Sequence, residues 1–125
     1  MKRDRLLVVE DDPATLASIR DLLLREGYEV DTATTGRDAL GHLLDDELPS
    51  AIILDARMPV MSGEEFASVV RGYSRFADIP ILLLTAWDTP ARFVQTVDAV
   101  MRKPFRADEL LASVEALVRS SAAVG

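Results

Sequence analysis

The sequence contains no cysteine and a single histidine among its 125 residues. Without cysteine the chain can form neither a disulfide framework nor a thiolate metal site, and one histidine makes a zinc centre unfavourable. The N-terminus also has no long apolar run. Only the four residues 6–9 separate the basic start MKRDR from three acids. That run is too short for a signal-peptide core or a membrane span. We therefore expect a cytoplasmic protein with no membrane partner.

Positive charge is also scarce, because 14 Lys and Arg face 21 Asp and Glu, which gives a formal net charge of −7. A nucleic-acid backbone repels such a surface, so we expect no direct nucleic-acid binding without a partner or another domain. An excess of carboxylates is compatible with a cluster that holds a cation. The length suits one domain, 1–125, with a core over about 5–121 and residues 120–125 as a tail or the start of a linker.

Short apolar runs alternate with helical patterns along the chain. Runs such as LLVV (6–9), AIIL (51–54) and ILLL (81–84) are typical of strands that are buried on both faces of a parallel sheet. We predict strands at 6–9, 28–33, 51–55, 79–85 and 99–103, and helices at 13–26, 35–46, 62–73, 90–97 and 107–120. This alternation predicts an α/β fold, a doubly wound five-stranded parallel sheet with helices on both faces.

Two of the helices carry specific end signals. Asp12 before Pro13 is typical of an N-cap followed by a first-turn proline, and Gly27 is typical of a helix stop. Ser62 with Glu65 three residues later predicts a capping box at the third helix. These signals predict where the first helix begins and ends and where the third begins.

Polar side chains stand at the carboxyl tips of four predicted strands. They are Glu10, Asp11 and Asp12 after the first strand, Asp55 on the third, Thr85 on the fourth and Lys103 on the fifth. In an open α/β sheet the ligand crevice lies at this edge, so we expect these groups to converge. Clustered carboxylates repel one another unless a cation lies between them, and oxygen ligands favour Mg²⁺. An aspartate beside a lysine and a hydroxyl can accept a phosphoryl group.

Each of these residues also has an ordinary structural explanation. An aspartate at a strand end commonly caps a helix or forms a turn, and Asp12 itself suits the cap of the first helix. The joint occurrence on four strand tips nevertheless favours a functional site. We expect His42 to be a surface residue, and we expect Trp87 either to cover the pocket mouth or to be a partly buried loop aromatic.

Four motifs resemble the receiver domain of bacterial two-component response regulators. They are LLVVEDD (6–12), ILDARMPVMSG (53–63), LLLTA (82–86) and KPF (103–105). The resemblance covers roughly residues 5–121 and implies a flavodoxin-like arrangement of the sheet. It also implies phosphorylation by a histidine kinase or a phosphotransfer protein.

The resemblance assigns roles to particular residues. It implies that Asp55 is the phosphoacceptor, and that Mg²⁺ is held by Glu10, Asp11, Asp55 and the backbone carbonyl of Arg57. By the same resemblance, Thr85 is the switch hydroxyl and Lys103 is the phosphate-binding lysine. The bond from Lys103 to Pro104 is expected to be cis.

The chain departs from the family pattern around its fourth helix. Val100 stands where the family has an aromatic switch residue, and the segment 86–102 between Thr85 and Lys103 is about one helical turn short. The usual Gly-Ala turn before the fifth strand is missing as well. We expect a shortened or irregular fourth helix, and we expect the segment 87–97 to respond to phosphorylation in place of an aromatic flip.

The leading interpretation is a phosphorylatable receiver that switches binding to an unknown output partner or effector domain and is not an enzyme. A homodimer is one option. One alternative is a receiver-like module that signals independently of phosphorylation. A remote alternative is an aspartate-nucleophile phosphohydrolase, which would need a second acid where Arg57 stands. A nucleotide-binding protein of this fold would need a glycine-rich first loop, and EDDPAT has no glycine.

Overall fold

The computed structural model describes residues 4–45, 47–58, 61–86 and 91–124. Within them strands and helices alternate as β1 (Arg5–Val9), α1 (Pro13–Arg25), β2 (Glu29–Ala33), α2 (Gly36–Asp45), β3 (Ala51–Asp55), α3 (Gly63–Gly72), β4 (Ile81–Thr85), α4 (Ala91–Val94), β5 (Ala99–Arg102) and α5 (Ala107–Val124). In this part of the chain no helix has the length and apolar character that a membrane crossing needs.

The five strands form one parallel sheet in the order β2-β1-β3-β4-β5. This is the flavodoxin-like, doubly wound order, so the predicted fold is confirmed. The order reverses between β1 and β3, because the chain adds β2 on one side of β1 and the later strands on the other. In such sheets the ligand crevice opens at the carboxyl ends of the strands beside this switch point.

The central strands explain the apolar runs in the sequence. Every residue of β3 and β4 is buried, as are the last four of β1. One face of the sheet packs against α2 and α3 through residues such as Leu43, Phe66 and Val70. The other face packs against α1 and α5 through residues such as Leu23 and Leu110. Each fully buried side chain of this size stabilises the fold by about 1.5–3 kcal/mol, which holds the strand tips rigidly.

The helix ends follow the sequence signals. The Asp12 carboxylate accepts a hydrogen bond of 2.9 Å from the Thr15 backbone N–H, and Pro13 opens α1. Gly27 follows α1 with a φ of 93°. At α3 the Ser62 hydroxyl accepts from the Glu65 N–H at 3.1 Å, and the Glu65 carboxylate accepts from the Ser62 N–H at 3.4 Å. The N-cap, the stop and the capping box are therefore confirmed.

Three boundaries differ from the sequence pattern. The fourth helix, predicted to reach residue 97, ends at Val94 and is a single turn, Ala91–Val94, which agrees with the expectation that it is shortened. β5 ends at Arg102, so Lys103 follows the strand instead of ending it. The predicted end of α5 at residue 120 was wrong, because the helix runs to Val124. The segment expected as a tail has no proline and no glycine before residue 125, and its alanines are the strongest helix formers.

Arg71, in the last turn of α3, connects two loops that the sequence does not link. Its guanidinium donates to the carbonyl oxygens of Ala77 at 3.0 Å, Ile79 at 2.8 Å and Thr96 at 2.9 Å. It also donates to the Asp98 carboxylate at 2.7 Å. The same Asp98 oxygen accepts from the Ile81 backbone N–H at 2.8 Å. This arginine network, Arg71 with Asp98, anchors the entry to β5 where the family's Gly-Ala turn is missing.

Candidate functional site

The tips of β1 and β3 bring three carboxylates together. Glu10 and Asp11 directly follow β1, and Asp55 is the last residue of β3. One carboxylate oxygen from each of the three lies within 4.8 Å of the others. Glu10 and Asp55 are 2% and 5% exposed, whereas Asp11 is exposed. The acidic cluster, Glu10, Asp11 and Asp55, therefore has two buried members and one at its rim.

Lys103 reaches this cluster from the loop after β5. Its Nζ donates to Asp55 Oδ1 at 3.1 Å and lies 3.6 Å from Glu10 Oε2. Burial lowers the pKa of Lys103, but the hydrogen bond to Asp55 and the charges of Glu10 and Asp55 outweigh it, so its pKa is raised. The lysine therefore stays protonated beside Glu10 and Asp55, the two buried carboxylates of the cluster.

Glu10 is the member of the cluster with the least favourable surroundings. Its buried Oε2 accepts no hydrogen bond from any residue that the structure describes. Burial raises the pKa of Glu10 from an ordinary 4.5 to about 7, and the Asp55 charge adds to this effect while Lys103 opposes it. A buried oxygen that accepts no hydrogen bond and lies beside two other carboxylates suits a hard divalent cation. Because all the donors are oxygens, the cluster fits Mg²⁺ well.

Thr85 and Arg57 lie near the tip of β3. Thr85 ends β4 and is buried, and its carbonyl oxygen accepts from the Lys103 backbone N–H at 2.8 Å. Asp55 pairs in register with Leu84, so Thr85 lies one residue further toward the edge of the sheet. Arg57 is exposed and lines the pocket that contains the cluster. The structure thus brings Glu10, Asp11, Asp55, Arg57 and Lys103 to one pocket, with Thr85 beside Lys103.

The pocket over the cluster has a volume of about 380 Å³. A larger groove of about 600 Å³ lies between α1 and α5, but no buried carboxylate beside a lysine lines it. The two cavities differ in chemistry, because a site that accepts a phosphoryl group needs a nucleophile and positive charge in one place. The pocket over the cluster is therefore the candidate site.

Other residues singled out in the sequence lie outside the cluster's chemistry. The Asp12 carboxylate caps α1 and also accepts from the Thr15 hydroxyl at 2.6 Å, and these bonds lower its pKa. His42 is half-buried rather than a surface residue, because its face of α2 packs on β2 and its Nε2 lies 3.1 Å from the Thr32 carbonyl oxygen. Val100 is exposed on β5, and Trp87 lies outside the described residues.

Sequence reasoning missed two glycines with close neighbours, of which Gly63 borders the site. A Cβ on Gly63 would overlap the Asp55 carbonyl oxygen, and one on Gly36 would lie 2.7 Å from Met61 Sδ. The glycine in ILDARMPVMSG was a signal that could have found Gly63. Its contact partner is visible only in the folded chain. The predicted cis bond between Lys103 and Pro104 is present.

The family model described as the response regulator receiver domain matches residues 6–115. The chain belongs to this family. The response regulator MprA of Mycolicibacterium vanbaalenii is 42% identical over 119 residues, which cover 92% of this chain and 50% of that protein. MprA of Mycobacterium tuberculosis is 41% identical with the same coverage. The chain thus spans about half the length of the curated relatives it matches.

Solved receiver structures superpose closely on the chain. Response regulator TrrA from Thermotoga maritima, in complex with Mg²⁺-BeF, is 35% identical with a TM-score of 0.83, and the match covers 91% of this chain and 98% of that one. Chemotaxis protein CheY4 of Vibrio cholerae is 32% identical with a TM-score of 0.86, covering 93% and 99%. The chain is a response regulator receiver domain of two-component signalling, and its acidic pocket is compatible with aspartate phosphorylation and Mg²⁺ binding.

Proposed function

We propose that Asp55 accepts a phosphoryl group from the phosphohistidine of a histidine kinase or phosphotransfer protein, and that the acyl phosphate switches binding to an output partner. The observation that carries this proposal is the setting of the Asp55 carboxylate. It ends a fully buried strand, bonds to Lys103 at 3.1 Å and faces an open pocket. A rigid carboxylate beside a fixed positive charge is what phosphoryl transfer requires.

The transfer is a simple displacement. A carboxylate oxygen of Asp55 forms the new bond to phosphorus while the bond from phosphorus to the donor's imidazole nitrogen breaks. The electron pair stays on that nitrogen, and because the other ring nitrogen of the phosphohistidine carries a proton, the leaving group is neutral imidazole. Lys103 places its charge beside the phosphoryl oxygens, and its raised pKa keeps it protonated throughout. Thr85, beside Lys103, is the proposed hydroxyl donor to a phosphoryl oxygen.

The acidic cluster has its own part in the proposal. Glu10, Asp11 and Asp55, with the backbone carbonyl of Arg57, would hold Mg²⁺, and the buried Glu10 oxygen that accepts no hydrogen bond supports this assignment. When bound, Mg²⁺ supplies charge neutralisation to the transferring phosphoryl group. Without it the three carboxylates would repel the incoming anion.

The proposal extends to the protein's setting. The domain acts in the cytoplasm as a signalling switch rather than as an enzyme that turns over substrates. Its output is carried by an effector domain or a separate partner, with a homodimer as one form of that output. The membership in the receiver family supports this setting, and the charge of −7 argues against direct nucleic-acid binding by this domain.

Intact-mass analysis after treatment with acetyl phosphate tests the proposal. We expect one phosphoryl adduct on the wild-type domain, dependent on Mg²⁺ and removed by hydroxylamine, and none on Asp55→Asn. Asp21→Asn, which changes an exposed aspartate of α1, is the matched control and should retain the adduct. A full adduct on Asp55→Asn would refute the assignment. No adduct on the wild type, from acetyl phosphate or a phosphorylated donor protein, would favour the phosphorylation-independent module.

A further inference from the structure

The first residue of α3 packs directly against the backbone of the proposed phosphoacceptor. The Gly63 N–H donates to the Ala56 carbonyl oxygen at 3.1 Å. A Cβ on Gly63 would overlap the Asp55 carbonyl oxygen and lie 2.9 Å from Ala56 Cα. The start of α3 and the peptide that joins Asp55 to Ala56 are therefore in contact, with no space for a methyl group.

This requirement for glycine is steric rather than conformational. Gly63 is helical and does not have the positive φ of Gly27, so alanine could adopt its backbone angles. The atoms that a methyl group would meet belong to the backbone, which cannot rotate away as a side chain can. The helix cannot easily recede either, because the Ser62–Glu65 capping box holds its start and Phe66 is fully buried.

The other helical glycines provide a contrast. A Cβ on Gly36 would meet the flexible side chain of Met61, and a Cβ on Gly41 or Gly72 would meet nothing within 4 Å among the described residues. Gly63 and Gly72 are the two ends of the same helix, α3. Of these four glycines, Gly63 alone contacts the backbone of a candidate site residue.

We propose that Gly63 is a positioning residue for phosphoryl transfer. Its missing side chain lets α3 close on the Asp55–Ala56 peptide, which holds the Asp55 carboxylate in register with Glu10 and Lys103. On the other side, the same segment is held to the sheet by the Ala56 N–H, which donates to the Leu84 carbonyl oxygen at 2.9 Å. This inference rests on the proposed role of Asp55.

The site is sensitive to small displacements of Asp55. Its bond to Lys103 is 3.1 Å, and the three carboxylate oxygens lie within 4.8 Å of one another. Mg²⁺ demands nearly ideal octahedral geometry, and sites of this kind tolerate errors of about 0.5 Å. A displacement of about 1 Å can lower a rate about 100-fold. A methyl group on Gly63 must shift either α3 or the acceptor peptide by such an amount.

The test adds Gly63→Ala to a stabilised background, Gly41→Ala with Gly72→Ala. Both background changes introduce a methyl group into open space on a helix and should stabilise the fold. At a temperature where circular dichroism shows each variant folded, Mg²⁺ affinity is measured by NMR titration of backbone amides. The initial rate of phosphorylation by acetyl phosphate at saturating Mg²⁺ is measured by intact mass.

We expect Gly63→Ala to weaken Mg²⁺ binding at least about fivefold and to slow phosphorylation at least about tenfold relative to the background. Gly36→Ala should change either quantity by less than about threefold, because the Met61 side chain can move aside. A folded Gly63→Ala variant within about twofold of the background in both measurements overturns the proposal. A variant that stays unfolded even in the stabilised background overturns it too, because Gly63 would then be structural only.

These outcomes are distinct from a failure of the proposed function. If the background protein itself takes up no phosphoryl group, the role of Asp55 fails. Mg²⁺ affinity alone then decides whether Gly63 positions the acidic cluster.

Discussion

The arginine network and the acidic cluster both contain partly buried charge, but they differ in how far that charge is hydrogen-bonded. Arg71 donates to three carbonyl oxygens and to Asp98, and the shared Asp98 oxygen also accepts a backbone N–H. In the cluster, a buried Glu10 oxygen accepts no hydrogen bond from the described residues, and Lys103 forms ion pairs with Glu10 and Asp55. The first arrangement satisfies its polar groups and holds two loops together. The second concentrates carboxylates in a way that a bound cation would favour.

This difference separates structural charge from functional charge within one small domain. Buried polar groups are normally paired, so one that accepts no hydrogen bond from the protein indicates strain, an ordered water or a bound ion. Side chains that work against stability are expected at functional sites. Substitutions in the two regions should therefore change the free energy of unfolding with opposite signs.

The largest effect on stability is expected at Arg71. Arg71→Met retains most of the apolar stem but removes the donor to the three loop carbonyls and the cation beside Asp98, which keeps only the Ile81 N–H. We expect the free energy of unfolding to fall by about 2–3 kcal/mol, measured by urea denaturation. Arg119→Met, which removes an exposed pair with Glu115, is the control and should cost less than about 0.5 kcal/mol. Equal losses in the two variants would mean that the network contributes no more than a surface ion pair.

A change of opposite sign is expected at Glu10. In magnesium-free buffer at pH 8, Glu10→Gln should raise the free energy of unfolding by about 1–2 kcal/mol, because it removes a buried carboxylate. The pKa of Glu10 is about 7 in the folded chain against an ordinary 4.5. Wild-type stability attributable to the neutral form is therefore present below pH 4.5 and lost as the pH rises toward and through 7.

The dependence on pH and Mg²⁺ tests the explanation given for Glu10→Gln. The stability gap between Glu10→Gln and the wild type should open between pH 4.5 and 7 and narrow again when Mg²⁺ is added, since the cation satisfies the carboxylate. Denaturation at several pH values with and without Mg²⁺ measures both trends. A Gln variant less stable than the wild type at pH 8 without Mg²⁺ would show that the cluster is a stabilising network after all.

Asp11 and Asp12 are adjacent acids for which different effects are expected. Asp11→Ala should weaken Mg²⁺ binding about tenfold or more while leaving apo stability nearly unchanged, because Asp11 is an exposed member of the cluster. Asp12→Ala should lower stability, because it removes the cap of α1, with little effect on Mg²⁺ affinity. Thermal unfolding at increasing Mg²⁺ concentrations gives both quantities. If Asp11→Ala lowered stability and Asp12→Ala weakened Mg²⁺ binding, the two roles would be reversed.

The smallest effect is expected in the hydrogen exchange of residues 91–95, which include α4. Asp98 is held by Arg71, and its own N–H donates to the Ile81 carbonyl oxygen at 2.9 Å, whereas α4 is a single turn. We expect beryllofluoride with Mg²⁺ to change hydrogen exchange in residues 91–95 and to leave the Asp98 amide protected. Identical exchange across 91–95 with a change on another face would exclude this segment as the reporter of phosphorylation.

Much of the fold could be predicted because its signals are local. Apolar runs identify β1, β3 and β4, and the Asp12 cap, the Gly27 stop and the Ser62–Glu65 box depend on residues within one helical turn. The end of α5 was predicted too early, because the serines at 120 and 121 resemble linker sequence while the following alanines continue the helix. His42 was predicted at the surface because its contact, the Thr32 carbonyl oxygen, lies on a different element.

The candidate site was predictable in part for the same kind of reason. Strand tips of a parallel sheet share one edge, so the tip residues Glu10, Asp55 and Lys103 could be brought together from sequence. The different surroundings of the three consecutive acids could not be predicted. Whether Glu10 is buried, Asp11 is exposed and Asp12 caps α1 depends on where each side chain points after folding.

The sheet, its helices and the acids at its edge could be predicted from the chain alone, because periodicity, caps and strand-tip chemistry depend on adjacent residues. How the site is held is visible only in the folded protein. Gly63 meets the Asp55 peptide across the β3–α3 loop, and Arg71 meets Asp98 and Thr96 across 25 and more positions of the chain. Such contacts depend on how closely neighbouring elements approach. Close packing sets these distances so tightly that a single added methyl group would not fit.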